Sequence, residues 1–291
     1  MKLLVAQDIG YCYGVKDAID EVVEASIHSD EKVDTFGPLI HNSSAIQELT
    51  DKYNINTITD IHDMRGNTLA VRAHGIPPKT LSSFLDQGIQ IIDTTCPFVR
   101  KTQNIARQLM EDGYFIIILG KKKHPEVVGI AGHVEDHCLV VENEEDLQGL
   151  GRKNKIAIVF QSTITVDDVG HLIPRIVEHA KEVKIRSTIC DITSRRQAEA
   201  RELAKQVDYM IVVGGKNSSN TRKLADICRN EGVQTVQIEY PSELKALSFE
   251  GIESIGLTTG TSTPQTAIDA ILNEIKNKSH QGMTIESNPM V

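Results

Sequence analysis

Three cysteines stand in turn-like surroundings at similar intervals along the chain, where their thiols could bind a metal. Cys12, Cys96 and Cys190 lie 84 and 94 residues apart, each after an extended segment and before a helical pattern. Their neighbours are Gly, Pro, Thr and Asp rather than continuous apolar residues. If the three thiolates converge, they suit either zinc with an open position that activates water, or an iron–sulfur cluster with one iron lacking a protein ligand. The spacing leaves both open.

The other two cysteines have apolar contexts. Cys138 lies in HCLVV and Cys228 in ADIC, so both are predicted to be small core residues. Five cysteines without a CxxC pair exclude a disulfide scaffold and indicate reduced thiols.

Three histidines stand beside Gly or Pro and are candidates for binding an anion. They are His41, His74 and His124, and histidine can donate hydrogen bonds to phosphate. Glu126 follows His124 by two residues and could donate a proton if it is enclosed. The alternatives are ordinary surface or core histidines and an exposed glutamate.

Hydroxyl-rich turns follow three of the apolar runs: Gln161–Thr163, Gly214–Asn220 and Gly256–Pro264. Small polar residues before a helix let backbone N–H groups approach an anion, although they are also ordinary helix caps. The chain has no GxxxxGK[ST], and no GxGxxG follows a strand, so neither ATP nor a Rossmann dinucleotide is indicated. Polar turns without a nucleotide loop fit a small phosphorylated substrate.

The elements that must position these residues alternate between strand and helix patterns. Short apolar runs predict strands at Leu3–Ala6, Ile89–Ile92, Phe115–Leu119, Ile156–Phe160, Tyr209–Val213 and Ile255–Thr258. Amphipathic patterns predict helices at Val15–Ser26, Val99–Asp112, Val169–Glu182, Arg195–Gln206 and Pro264–Lys276. This alternation predicts α/β units with parallel sheets, whose strand ends bind ligands.

The cysteine spacing predicts three α/β units that each contribute one thiol. The expected domains are 1–95, with Cys12 at its first strand-to-helix turn, 96–190 and 191–276, followed by a polar tail at 277–291. The repeat is one of layout, because the units show no sequence identity.

Composition limits the class of protein. The 291 residues are 40% hydrophobic and 24% charged, which is typical of a globular chain and argues against disorder. The net charge of −9 argues against bulk nucleic-acid binding. The sequence has no signal-peptide core and no apolar run of the ~20 residues that span a bilayer, so we expect a soluble, cytoplasmic protein without a membrane partner.

These motifs together resemble the 4-hydroxy-3-methylbut-2-enyl diphosphate reductase family, which catalyses the last step of the methylerythritol phosphate route to isoprenoids. The matching segments occur in order as GYCYGV (10–15), FGPLIHN (36–42), RAHG (72–75), DTTCP (93–97), HPEV (124–127), QSTITVDD (161–168), ICDITSRRQ (189–197), VGGKNSSN (213–220) and TGTSTP (259–264).

The resemblance implies a fold, a cofactor and a set of site residues. The fold would be three small, mostly parallel α/β domains arranged as a trefoil around a central [4Fe–4S] cluster, which Cys12, Cys96 and Cys190 would hold with one open iron. Seven residues match or adjoin the family's diphosphate- and substrate-binding positions. They are His41, His74, His124, Ser218, Asn220 and Ser262, with Ser219 beside them. Glu126 matches the acid that delivers protons, and Ser162 with Thr163 matches the position of a threonine that contacts the substrate hydroxyl.

The implied reaction is a two-electron reductive dehydroxylation to isopentenyl and dimethylallyl diphosphate, with ferredoxin or flavodoxin as the electron donor. Ser162 departs from the usual threonine, which keeps the hydroxyl and removes a methyl group. Two other functions remain open at this stage. One is an iron–sulfur dehydratase without net electron transfer, and the other is a zinc- or iron–sulfur-dependent binding or sensing protein.

Overall fold

The computed structural model describes residues 1–28, 32–278 and 284–287. Its strands are β1 (Lys2–Val5), β2 (Val33–Phe36), β3 (Asn56–Ile58), β4 (Thr68–Val71), β5 (Gln90–Asp93), β6 (Phe115–Leu119), β7 (Cys138–Val141), β8 (Lys153–Phe160), β9 (Ala180–Ile185), β10 (Tyr209–Val213), β11 (Gln234–Ile238), β12 (Ser254–Thr259) and β13 (Thr284–Ser287). Its α-helices are α1 (Tyr13–His28), α2 (Ser43–Tyr53), α3 (Pro78–Asp86), α4 (Pro97–Glu111), α5 (Pro125–Gly132), α6 (Val166–Val169), α7 (Leu172–Val177), α8 (Asp191–Ala204), α9 (Ser219–Asn230) and α10 (Gln265–Lys278).

The chain divides into two compact units. The first unit comprises Met1–Lys16, Ile40–Lys52 and Asp191–Val291, and the second comprises Asp17–Leu39 and Tyr53–Cys190.

The first unit is built on one parallel sheet, here called sheet A, with strand order β11-β10-β12-β1-β13. Alternate residues of β10 face opposite sides, as a strand requires. Ile211 and Val213 pack in the cluster that contains Ile271 of α10, whereas Met210 and Val212 pack with residues of α8 and α9. Helices therefore cover both faces of sheet A, which is why the inner strand β10 is buried along its whole length.

The second unit contains two parallel sheets. Sheet B has the order β3-β2-β4-β5, and sheet C has the order β7-β6-β8-β9. In sheet C, Ile117 and Ile158 pack with Leu172 of α7, while Ile116 and Ile118 pack on the other face in the cluster that includes α4 and α5 residues. The first turns of α4 and α5 thus come to the carboxyl ends of strands, where α/β folds place ligands.

The α/β class with three small parallel sheets is confirmed. The runs Phe115–Leu119 and Tyr209–Val213 are strands with the predicted bounds. The predicted helix Val169–Glu182 is wrong in its second half, because α7 ends at Val177 and residues 180–185 form β9. Parallel pairing of β9 with β8 outweighs the helical pattern there.

The first strand and the tail differ from the expected domains. Strand β1 pairs with β12 and β13, so it belongs to sheet A and not with the strands of residues 33–93. Within the expected tail 277–291, residues 284–287 form the edge strand β13, whereas 279–283 and 288–291 lie outside the described residues. The boundaries 1–95, 96–190 and 191–276 otherwise stay a prediction. Among the described helices, none has the length and apolar character needed to cross a membrane.

Candidate functional site

Each of the three turn cysteines immediately precedes a helix. Cys12 stands before α1, Cys96 is the N-cap of α4, and Cys190 stands before α8. Backbone hydrogen bonds fix each position, because the N–H groups donate to the carbonyls of Thr261, Ala73 and Ser162, each at 3.0 Å. The partial positive charge of a helix N-terminus favours the thiolate form of cysteine, which is the form that binds a metal.

The other two cysteines occupy a different environment. Cys228 is fully buried in the core beside sheet A, and burial raises the pKa of its thiol to about 12. Cys138 is half-buried at the start of β7, and burial raises the pKa of its thiol to about 11. The raised pKa of each thiol disfavours the thiolate, which is the form that binds a metal.

Two buried charged residues support the turn that carries Cys12. The carboxylate of Glu199 accepts hydrogen bonds from the N–H groups of Gln7 at 2.5 Å and Asp8 at 3.3 Å. Arg196 donates to the carbonyl oxygen of Thr259 at 3.2 Å. Burial lowers the pKa of its guanidinium, and the nearby charge of Cys12 opposes that shift. The sequence assigned neither residue a role: Arg196 lies inside the matching segment ICDITSRRQ, and Glu199 lies just beyond it.

In the second unit, Ser162 connects Cys190 to Glu126. Ser162 lies in the turn after β8, and its carbonyl accepts the Cys190 N–H. Its own N–H donates to Oε1 of Glu126 at 2.7 Å, and its Oγ donates to Oε2 at 2.6 Å. Both carboxylate oxygens are thus held by one residue. The next residue, Thr163, accepts a hydrogen bond from the buried Gln161 amide at 2.8 Å.

Glu126 is an enclosed acid. Its side chain is on the first turn of α5 and only 1% of the residue is exposed. Burial raises the pKa of its carboxyl, and the two hydrogen bonds from Ser162 oppose that rise. The expectation of an exposed glutamate is therefore excluded, and the condition set for a proton donor is met.

His124 and His74 lie close to this acid. His124 is the N-cap of α5, and its Nδ1 accepts the Glu126 N–H at 3.2 Å, so the ring proton of the neutral form is on Nε2. The His74 ring lies edge-on to that of His124, with centroids 5.5 Å apart. Gly75, next to His74, has a φ of 74°, and a Cβ there would lie 2.5 Å from Nε2 of Gln103. Glycine is required at that turn.

In the first unit, His41 lies beside the turn after β10. Ser262 donates from Oγ to the His41 carbonyl at 3.2 Å. A Cβ at Gly215 would lie 2.5 Å from the same carbonyl oxygen and 3.0 Å from the Cα of Asn42. The glycine therefore permits two backbone segments to approach closely, which brings His41 and Ser262 to the turn that begins α9.

That turn supplies three polar residues in succession. Ser218 is the N-cap of α9, where its Oγ accepts the Thr221 N–H at 3.2 Å, so it caps the helix, and its binding role stays a prediction. Ser219 is buried as well. Asn220 is 2% exposed, and neither its Oδ1 nor its Nδ2 has a hydrogen-bond partner among the described residues. A buried amide without partners is costly and indicates a polar ligand.

Glu239 holds the segment that carries His41 to the turn at Gly215. It follows β11, is 6% exposed, and accepts the N–H of Ser43 at 2.8 Å and of Lys216 at 3.1 Å. One carboxylate therefore anchors both the His41 segment and the Gly215 turn. Sequence reasoning missed Glu239, because a single acid at a strand end carries no distinguishing pattern.

Comparison with known proteins identifies the family. The model of the "LytB protein" family matches residues 3–276. The 4-hydroxy-3-methylbut-2-enyl diphosphate reductase of a Nitratiruptor species is 39% identical over 277 residues, covering 95% of this chain and 98% of the relative. That of Alkaliphilus oremlandii is 38% identical over 279 residues, covering 95% and 100%.

Two solved structures are also similar. A structure of (E)-4-hydroxy-3-methyl-but-2-enyl diphosphate reductase, the terminal enzyme of the non-mevalonate pathway, is 35% identical with a TM-score of 0.72, covering 95% of this chain and 99% of the other. The E-1-hydroxy-2-methyl-but-2-enyl-4-diphosphate reductase from Plasmodium falciparum is 26% identical with a TM-score of 0.90, covering 99% and 92%. The family resemblance is thereby confirmed: the chain belongs to the LytB protein family.

Proposed function

We propose that this protein reduces 4-hydroxy-3-methylbut-2-enyl diphosphate to isopentenyl diphosphate and dimethylallyl diphosphate. The observation that carries the proposal is the match to reductases of that substrate over nearly the whole of both chains. The reaction consumes two electrons and two protons, breaks one carbon–oxygen bond, forms one carbon–hydrogen bond and releases water.

Cys12, Cys96 and Cys190 would hold a [4Fe–4S] cluster. Their positions before helices α1, α4 and α8 fit the thiolate chemistry of such a centre, and the raised thiol pKa values of Cys138 and Cys228 set those two apart. When bound, a cluster with one open iron supplies single electrons and polarises the carbon–oxygen bond that breaks.

The diphosphate would bind to the polar turn before α9. Asn220 offers a buried amide that has no partner among the described residues, and Ser218 offers a hydroxyl donor on the same unit as His41. The Ser262 hydroxyl now donates to the His41 carbonyl and would turn from it to reach a phosphate oxygen. The N-terminus of the 12-residue helix α9 adds its partial positive charge. His74 and His124 are assigned to the substrate by the family resemblance, and the Nε2–H of His124 is a donor suited to an anion.

Glu126 would supply protons. A carboxyl with a raised pKa retains its proton closer to neutral pH than an exposed glutamate does. Ser162 fixes both carboxyl oxygens, so the acid keeps one orientation, and the Ser162 hydroxyl can pass a proton to or from the substrate side. Ser162 keeps the hydrogen-bonding group that the family's usual threonine provides.

Electrons would come from an external carrier such as ferredoxin or flavodoxin, and we expect the reaction to take place in the cytoplasm. The sequence has no Rossmann fingerprint that would bind a nicotinamide cofactor.

The proposal is tested by mixing anaerobic protein, iron–sulfur reconstituted, with reduced methyl viologen and the substrate. We expect bleaching of two viologen radicals for each substrate consumed. Loss of substrate without dye oxidation would instead identify a dehydratase without net electron transfer. No substrate loss, with the cluster present by iron and sulfide analysis, would refute the proposal.

A further inference from the structure

The outer edge of sheet C carries an excess of positive charge. Strand β9 is the last strand of that sheet, so one of its sides has no neighbour among the described strands. Six basic residues lie on β9, on the adjoining end of β8 or directly beside them, and together they are here called the basic edge: Arg152, Lys153, Lys155, Lys181, Lys184 and Arg186.

The basic edge groups six cations that have no ion pair among the described residues. Elsewhere, exposed cations are commonly paired, as in Lys205–Glu202 and Arg229–Asp226. None of the six residues forms an ion pair within the part of the chain that the structure describes. The acid among them, Glu182, accepts the hydroxyl hydrogen of Tyr114 instead. In a chain of net charge −9, this is a local reversal of sign.

Tyr114 and Phe115 hold three of the ammonium groups in place. The Nζ atoms of Lys155 and Lys184 lie 5.1 and 5.4 Å from the centroid of the Tyr114 ring, and that of Lys153 lies 4.4 Å from the Phe115 centroid. Cation–π contacts of this kind orient a lysine without neutralising it. These three charges are therefore oriented by the rings and remain available to an anionic partner.

The basic edge is connected directly to Cys190. Beyond β9, the chain continues alongside β8: Arg186 N–H donates to the Ile158 carbonyl at 2.9 Å, and Cys190 N–H donates to the Ser162 carbonyl at 3.0 Å. Between them, the Thr188 hydroxyl binds Phe160 through both its N–H and its carbonyl, at 2.7 and 2.8 Å. Cys190 follows Arg186 by four positions, which is at most about 14 Å of extended chain.

We propose that the basic edge docks an acidic electron-carrier protein. The inference rests on the proposed function, which requires two electrons and has no nicotinamide site to supply them. Each docked carrier gives up one electron and leaves oxidised, so two dockings serve one substrate. Complementary charge brings such a partner to this edge and orients it, and the position of Cys190 places a candidate cluster ligand close by. Lysines also protect an exposed strand edge from aggregation, but that role does not require unpaired charges.

The test is a charge reversal with a matched control. The variant K181E/K184E/R186E alters the exposed cations of β9 and its extension, and the control K79E/K205E/K245E changes net charge equally at exposed lysines on other elements. The KM for reduced flavodoxin is measured at about 0.01 M and about 1 M salt, where the screening lengths are about 30 and 3 Å.

We expect the variant to raise the KM for flavodoxin by at least about 10-fold at low salt and the difference to vanish at high salt. The control should stay near wild type in KM, although it also breaks the surface ion pairs Lys79–Glu135 and Lys205–Glu202, which contribute little to stability. Turnover with reduced methyl viologen, which needs no docking surface, should be the same in all three proteins. An equal rise in both variants would reveal a net-charge effect and overturn the proposal. An unchanged KM for flavodoxin in the variant would also overturn the proposal. This holds even if the variant loses binding to anionic vesicles or to an RNA oligonucleotide, because the basic edge would then serve a different partner.

If reduced methyl viologen supports no turnover in wild type, the proposed function itself fails. The affinity for flavodoxin, measured by calorimetry, then still tests the basic edge. A lower affinity in the variant but not in the control supports docking, and equal affinity in the two refutes it.

Discussion

Replacing Glu126 by glutamine removes one proton from the site and changes little else. Glutamine has the same shape, so its Oε1 can accept the Ser162 N–H and its Nε2 can donate to the Ser162 Oγ, in place of the present bonds of 2.7 and 2.6 Å. The side chain stays buried and oriented. The difference between the two proteins is therefore the ability to give a proton to the reaction.

The size of the effect follows from the role. Loss of a positioned general acid typically lowers the rate about 10²- to 10⁴-fold, or about 3–5 kcal/mol in activation free energy. Because Glu126 does not belong to the polar turn assigned to the diphosphate, KM should stay within about 3-fold of wild type. We thus expect a loss in kcat alone.

Glu126→Gln should not lower the stability of the folded protein, although it lowers kcat. Burial raises the pKa of Glu126 above its ordinary value of 4.5 in the folded protein. The folded state then binds more protons than the unfolded state, so this group's contribution to stability is full below pH 4.5 and declines as pH rises through the folded pKa. Glu126→Gln should remove that decline and leave the variant at least as stable as wild type at alkaline pH.

The assay combines viologen-driven turnover with denaturant unfolding at several pH values. Iron content is measured on the same samples, and Glu182→Gln, which alters an exposed carboxylate of the same unit, is the control. A Glu126→Gln kcat above about a tenth of wild type, with a normal iron content, would refute the role of this acid.

Three further predictions address the other parts of the site. Ser162→Ala removes the hydroxyl bond that lowers the Glu126 pKa, and Glu126 must be protonated to act, so the alkaline limb of the kcat–pH profile should move to higher pH, whereas Ser162→Thr should leave it in place; a profile unmoved in the alanine variant would contradict this. Glu239→Gln can accept only one of the two backbone N–H groups that Glu239 accepts, which costs about 1.5–3 kcal/mol. KM should therefore rise about 10- to 150-fold with kcat nearly kept. A loss in kcat alone would argue that Glu239 does not position the diphosphate turn. Cys190→Ser should lose bound iron and its visible absorption while Cys228→Ala retains both, and equal iron in the two variants would exclude the assigned ligand.

The sequence predicted those elements whose pattern is local. Phe115–Leu119 and Tyr209–Val213 are continuous apolar runs, which buried parallel strands require, and both were found with the predicted bounds. The end of the helix predicted at Val169–Glu182 was wrong because its last residues are recruited by β8, a long-range pairing that periodicity does not encode.

The same distinction applies to the candidate site. The cysteines, histidines and hydroxyl turns could be singled out from their neighbours in sequence. The contact of Ser162 with Glu126 spans 36 residues, and that of Glu239 with Ser43 spans 196, so neither follows from spacing. Residues that act by holding backbone N–H groups, such as Glu199, become visible only when the strand ends are in place.

Product analysis after turnover in D2O distinguishes a reductive loss of the substrate hydroxyl from a dehydration. Anaerobic, cluster-containing protein with reduced methyl viologen is given 4-hydroxy-3-methylbut-2-enyl diphosphate, and the products are identified by mass spectrometry. The account predicts isopentenyl and dimethylallyl diphosphate, each lacking the substrate hydroxyl and carrying one deuterium on carbon, because one solvent-derived proton goes to carbon and the other leaves in water. Recovery of unchanged substrate, or of a dehydrated product that has gained no hydrogen, would contradict it.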